Sequence, residues 1–114
     1  MSKSPSTIDR YAQRFAALRT QIESVQYFCK GTVLKRHMKC GQPTCACHRD
    51  SAKRHGPYWE WTYKVHGKTV NVKLTPEAGP LFKAAAQRYR KLQSLLVQME
   101  RLSRKALATQ AKKR

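Results

Sequence analysis

The 114-residue chain carries 24 lysines and arginines against 6 aspartates and glutamates, a formal charge of +18 at pH 7. No apolar run approaches the roughly 18–20 residues of a membrane span, which argues against a membrane-spanning helix. The charge excess points to a polyanion, and one small domain is all this length needs.

Taken in order, MSKSPSTIDR lacks the apolar segment of a signal peptide. A reducing compartment is expected, the cytoplasm or the nucleoid, with flexible basic tails at 1–6 and 108–114. Ser6 is a candidate helix N-cap, with Asp9 three residues on as an imperfect capping box. The helix is expected from Thr7 to Cys29. Its apolar residues are Ile8, Tyr11, Phe15, Leu18, Ile22, Val25 and Cys29. Their steps alternate three and four, which is a heptad seam. Cys29 closes that seam as a small core residue, and Gly31 ends the helix.

Thr32–Lys39 reads as a strand. One face holds Thr32, Leu34, Arg36 and Met38; the other holds Lys35, His37 and Lys39.

Next comes CGQPTCACHRDSAKRHGPYWEW, residues 40–61, on which the rest of the chain is centred. Cys40, Cys45 and Cys47 put three thiols within eight residues, and His55 follows eight residues later. Zinc takes four nitrogen or sulfur ligands in a tetrahedron, and Cys3His is a common structural set. Gly41 and Pro43 suit the tight loop that folds the first thiol back on the others. His48 is the rival fourth ligand and His37 a more distant one. The competing readings are free thiols beside surface histidines, or a disulfide or redox role. Arg49, Lys53 and Arg54 belong to an exposed basic loop.

Tyr58–Val65 and Thr69–Leu74 read as two strands joined by a His66-Gly67 turn. That register pairs Trp59 with Leu74, Trp61 with Val72 and Tyr63 with Val70, placing the aromatics on one face. It sets Glu60 opposite Lys73 on the other, as an ion pair. The aromatic row reads as core, with a base-stacking platform as its functional rival.

Thr75-Pro76-Glu77 opens a second helix with a Thr cap, Pro at the first position and an acidic residue near the positive dipole end. The regular helix is expected from Gly79 or Pro80 to about Thr109. Its seam runs Phe82, Ala85, Tyr89, Leu92, Leu96, Met99, Ser103 and Ala106, widened by Leu81, Leu95, Leu102 and Leu107.

The run Cys40, Gly41, Pro43, Cys45, Cys47, then His55, Gly56, Pro57, Tyr58, Trp59, then Gly67 and Lys68 resembles an uncharacterised bacterial and archaeal family of small proteins. The likeness covers about residues 31–75. It implies that His55, rather than His48, joins the thiols. Members often lie among mobile-element and recombinase genes, so the resemblance also implies work on DNA or RNA, and it brings no catalytic residue.

The expected fold is α+β: a helix, a three-stranded antiparallel sheet with a zinc knuckle, and a long helix antiparallel to the first. The aromatic sheet face would pack on the helices. The other face would show Lys35, His37, Lys39, Lys64, Asn71 and Lys73. A twisted antiparallel sheet can enter the DNA major groove. Candidate nucleic-acid contacts are Lys35, Arg36, His37, Lys39, Arg49, Lys53, Arg54, Thr62, Lys64, Lys68, Asn71 and Lys73. Thr62 and Asn71 are placed for base edges and the cations for phosphates.

The expected function is a non-catalytic, zinc-binding accessory factor. Duplex DNA is the favoured partner and structured RNA the second. A recombinase, transposase or nuclease is a further partner, and the helices offer a homodimer contact. The alternative is a structural subunit that docks a larger protein or an RNA–protein complex through its helix hairpin. Catalysis is disfavoured, because only Glu60 and Asp50 lie near the knuckle as acid–base groups.

Overall fold

The structure is a computed structural model that describes residues 6–112. Its elements run α1 (Thr7–Glu23), β1 (Thr32–Met38), β2 (His55–Val65), β3 (Lys68–Leu74) and α2 (Ala78–Lys112). Two single 3-10 turns, Ala46–His48 and Ser51–Lys53, lie between β1 and β2. This is the expected α+β order. The described residues fall into two compact units: Tyr27–Tyr89, and the residues up to Gln26 together with those from Arg90 onward. Residues 1–5 and 113–114 of the expected tails lie outside the described residues. Ser6 caps α1, and 108–112 continue α2.

In the helical unit, Ser6 and Asp9 form the full capping box. Ser6 Oγ accepts from the Asp9 amide at 3.1 Å, and the Ser6 amide donates to Asp9 Oδ2 at 3.3 Å. α1 runs antiparallel to the distal part of α2. Arg14 and Leu18 share a cleft with Gln98 and Leu102, whereas Ile8 and Tyr11 share one with Ala106 and Gln110. Leu95 and Leu102, seven residues apart, are the buried centre of the α2 stripe. The expected seam placed Leu96 there instead, but Leu96 is 52% exposed. Leu81 and Leu107, expected to widen the stripe, are also exposed.

α1 ends six residues earlier than its seam predicts. Ser24 is the C-cap, its amide bonded to the Gln21 and Ile22 carbonyls. Tyr27–Cys29 is claimed by the start of α2 instead. Arg88 donates to the Tyr27 carbonyl at 3.0 Å, Phe28 stacks on Tyr89 at 5.8 Å, and the Cys29 amide donates to Ala85 O at 3.3 Å. Val25 and Cys29 are therefore not helical seam residues. Cys29 is half-buried in the sheet unit, and its thiol, pushed up by burial, lies 3.8 Å from Phe82 O. Gly31, expected to stop the helix, lies just before β1.

The sheet order is β1-β2-β3, all antiparallel, with β2 central. The β2–β3 register is the expected one throughout, from Trp59–Leu74 to Val65–Lys68. His66 (φ 50°) and Gly67 (φ 79°) make its two-residue turn, as the inward aromatics and outward polar residues require. The aromatic face meets the first turns of α2. Trp61 lies 5.2 Å from Phe82 and 4.2 Å from Tyr63, and its indole N–H donates to Lys30 O at 2.7 Å. Trp59 lies directly against Gly79, where any Cβ would collide with its ring. Thr75 Oγ1 accepts from the Ala78 amide at 3.1 Å, the expected cap, and α2 starts at Ala78.

β1 is the element the sequence mispredicts. It pairs Val33 with Trp61, Leu34 with Glu60, Lys35 with Trp59 and Arg36 with Tyr58. Directly opposite residues share a face, so Val33 and Lys35 lie on the aromatic side. Leu34 and Arg36 lie on the polar side with Glu60, Thr62, Asn71 and Lys73. The expected assignment of β1 is thus inverted. Its alternation is weak, with apolar residues at both parities, so only pairing to β2 could choose a face.

Candidate metal centre and polar sheet face

The knuckle is built by short-range turns. The Cys45 amide donates to Gln42 O at 3.1 Å and the His48 amide to Cys45 O at 3.1 Å, which coils residues 42–48 so that Cys45 and Cys47 turn back toward Cys40. The Cys40 amide then donates to Cys47 Sγ at 3.2 Å. His55 arrives from the far side of the sequence because β1 and β2 pair. A bulge between Arg36 and Met38 shifts the register and sets Met38 opposite His55. Gly56 (φ 133°) permits it, since a Cβ there would meet Arg36 O at 2.7 Å.

The result is a Cys3His cluster. The ligand atoms of Cys40, Cys45, Cys47 and His55 all lie within 4.8 Å of one another. Cys40 and Cys47 sulfurs are 3.5 Å apart, and Cys45 Sγ is 3.3 Å from His55 Nε2. A tetrahedron with metal–sulfur bonds of about 2.3 Å has edges of about 3.8 Å, so the four atoms could close on one ion with shifts of up to about 1 Å. His48 is not part of the set. Its Nε2 is 2.7 Å from the Cys40 carbonyl oxygen, a bond that orients the loop. His37 sits at the bulge and is absent from the cluster.

The cluster's electrostatics suit a cation. The Cys47 backbone N–H, followed by His55 and the other two thiols, brings the Cys45 thiol down to about 6. Cys47 is 1% exposed, and its burial pushes its thiol up. A bound cation would reverse that penalty, since coordinated thiols are deprotonated.

The polar face of the sheet carries Arg36, Lys64 and Lys73 on three strands, with Thr62 and Asn71 between them. Arg36 Nη2 and Glu60 Oε1 form an ion pair at 2.9 Å. The expected Glu60–Lys73 pair is not among the ion pairs of the described residues, because the guanidinium from the other neighbouring strand takes the carboxylate. Thr62 Oγ1 donates to Asn71 Oδ1 at 2.8 Å, so these two hold each other. Lys35 is absent from this face: its Nζ lies 5.6 Å over the Trp59 ring. Lys68 has the aromatic parity too. Arg49, Lys53 and Arg54 are exposed around the two 3-10 turns, and Lys39 follows β1.

Two residues were not among the expected site residues. Tyr58 and Met38 stand exposed at the end of the sheet where the knuckle begins. The signal for Tyr58 was available, since the alternation that puts Trp59 and Trp61 on the face toward α2 puts residue 58 on the opposite face with Glu60 and Thr62.

Residues 5–84 match the family model described as a domain of unknown function, DUF6788. The chain belongs to the DUF6788 family. The matched region holds α1, the whole sheet, the knuckle and the first turns of α2. No curated protein and no solved structure matches the chain. No helix of the described residues is long and apolar enough to cross a membrane.

Proposed function

We propose that this DUF6788 protein is a zinc-stapled nucleic-acid-binding module, a non-catalytic accessory or regulatory factor for a DNA-processing system of the mobile-element or recombinase kind. The observation that carries it is the Cys3His cluster seated at the end of a sheet whose outer face presents Arg36, Lys64 and Lys73 together. Cys40, Cys45, Cys47 and His55 would hold the ion, and it would serve as a fold staple. Four protein ligands close the coordination sphere, which suits structure rather than turnover.

The sheet face would lie along a duplex, its cations on phosphates. Duplex DNA comes first because Trp59, Trp61 and Tyr63 face α2, and RNA modules that stack bases leave such a row open. The chain-wide charge of +18 supports the same partner class.

Binding of the zinc-loaded full chain to a duplex DNA and to an RNA hairpin, across a salt series, tests this. The expected slope of log affinity against log salt is about −0.9 per phosphate neutralised. Arg36→Ala, Lys64→Ala and Lys73→Ala together should flatten the slope by about two to three and weaken binding at least 10-fold. Unchanged affinity in that triple variant would show that the sheet face is not the contact.

A second reading rests on α2, where Leu96, Val97 and Leu107 are all more than half exposed. The helix pair would then dock a larger protein, as a subunit of its complex. Affinity for such a protein in nuclease-treated samples would favour it.

A further inference from the structure

At the end of the sheet from which the knuckle emerges, the last residue of β1, residues near the start of β2 and the last residues of β3 line an open cleft of about 610 Å³. That lies within the usual range for a small-molecule site. Its walls include Met38, Pro57 and Tyr58, and its polar lining includes Lys39, Glu60 and Lys73.

Tyr58 is 52% exposed and Met38 47% exposed, so a flat apolar surface is offered to whatever enters. Glu60 is pinned by Arg36 at 2.9 Å, which fixes a carboxylate acceptor there. Lys39 and Lys73 are exposed cations of the same cleft.

An aromatic face, a held acceptor and two flanking cations match the three parts of one nucleotide: the π-face of the base, its amino donors and its phosphates. We infer that this cleft takes a single unpaired nucleotide next to a duplex held on the polar sheet face. The preferred substrate is then a duplex that carries an overhang or an extruded base. The base stacks on Tyr58, an exocyclic amino group donates to Glu60, and the flanking phosphates meet Lys39 and Lys73. Lys73 belongs both to the cleft and to the polar face, so the two contacts are continuous. The inference rests on the nucleic-acid reading above and specifies its substrate.

The experiment compares a blunt duplex with the same duplex bearing a short 3′ or 5′ overhang. The first overhang nucleotide is 2-aminopurine, and the overhang is made once in DNA and once in RNA. Binding to the zinc-loaded full chain is followed by anisotropy and by 2-aminopurine fluorescence. The overhang substrate should bind about 5- to 150-fold more tightly than the blunt one, the range of one stacked base. Its fluorescence should be quenched on binding. Tyr58→Ala should abolish both the preference and the quenching while blunt-duplex affinity stays within about twofold. Tyr58→Phe should keep both, which separates stacking from a folding defect. Whichever sugar binds tighter names the strand type and supports the cleft equally. Equal affinity for blunt and overhang substrates, or a preference unmoved by Tyr58→Ala, overturns the cleft and leaves the duplex reading standing. No affinity for any nucleic acid overturns both.

Discussion

Cys45 and Cys47 show how far two similar thiols can diverge within one turn. The first is held by a backbone N–H and His55 and sits near 6; the second is buried and pushed up. In metal-free protein at pH 7, Cys45 should therefore be alkylated first and Cys47 last among the knuckle thiols, as read by mass mapping of iodoacetamide adducts. A thiol lowered by folding favours the folded state fully at high pH, and that contribution is lost as pH falls from 9 through about 6. Metal binding should weaken over the same fall, because each ligand must shed its proton. Cys45→Ser should reduce bound zinc from about one per chain to a small fraction, measured by elemental analysis. Zinc retained in that variant would point to a different ligand set. At Gly79 two effects compete. Alanine favours a helix by about 1 kcal/mol over glycine, but overpacking costs about 1–3 kcal/mol. The collision falls on the near end of the Trp59 ring, which cannot swing away cheaply. Gly79→Ala should therefore be net destabilising, read as a lower denaturation midpoint in urea.

Among the elements, β1 carries the clearest test of the register. Lys35 sits over Trp59 on the aromatic side, whereas Arg36 sits on the polar side with Glu60. Lys35→Ala should cost about 0.5–1 kcal/mol of stability, the worth of an exposed cation–π contact, and barely change duplex affinity. Arg36→Ala should do the reverse, weakening DNA binding with little change in the denaturation midpoint, since an exposed ion pair contributes only about 0–1 kcal/mol. If the two phenotypes were exchanged, the inverted face assignment would be wrong. The strand β2 needs no such help. It pairs on both edges, and its Trp-x-Trp-x-Tyr pattern leaves one burial choice.

For the whole molecule, the Cys3His cluster and the aromatic sheet face sit in the same compact unit, Tyr27–Tyr89, and both tryptophans report on it. Chelation should redden tryptophan emission and expose the amides of β1 and β2 to hydrogen exchange. The helical signal of α1 and distal α2, which hold no ligand, should fall far less. Restoring zinc to 1,000 times its dissociation constant should return about 4 kcal/mol of apparent stability. Coincident loss of both signals on chelation would show instead that the helices depend on the staple. At +18 the chain also repels itself, so raised salt should stabilise the free protein while weakening the proposed complex with nucleic acid.

Local patterns in the chain were enough for the element order, the β2–β3 register, both helix N-caps and the three clustered thiols. Each depends on neighbours close in the chain: a capping side chain, a two-residue turn, a two-residue alternation, or thiols within eight residues. His55 was legible among its rivals through the His-Gly-Pro-Tyr resemblance. Only the tertiary structure explained its arrival, because a bulge opposite Gly56 sets the register there. The tertiary structure also ended α1 at Glu23, since Phe28 and Cys29 gain more from Tyr89 and Ala85 than from another helical turn. It turned β1 over, because a strand with apolar residues on both faces has no inside until it is paired. It placed Leu95 rather than Leu96 at the centre of the helix contact. Those outcomes rest on contacts between residues dozens of positions apart, and a local pattern holds no record of them.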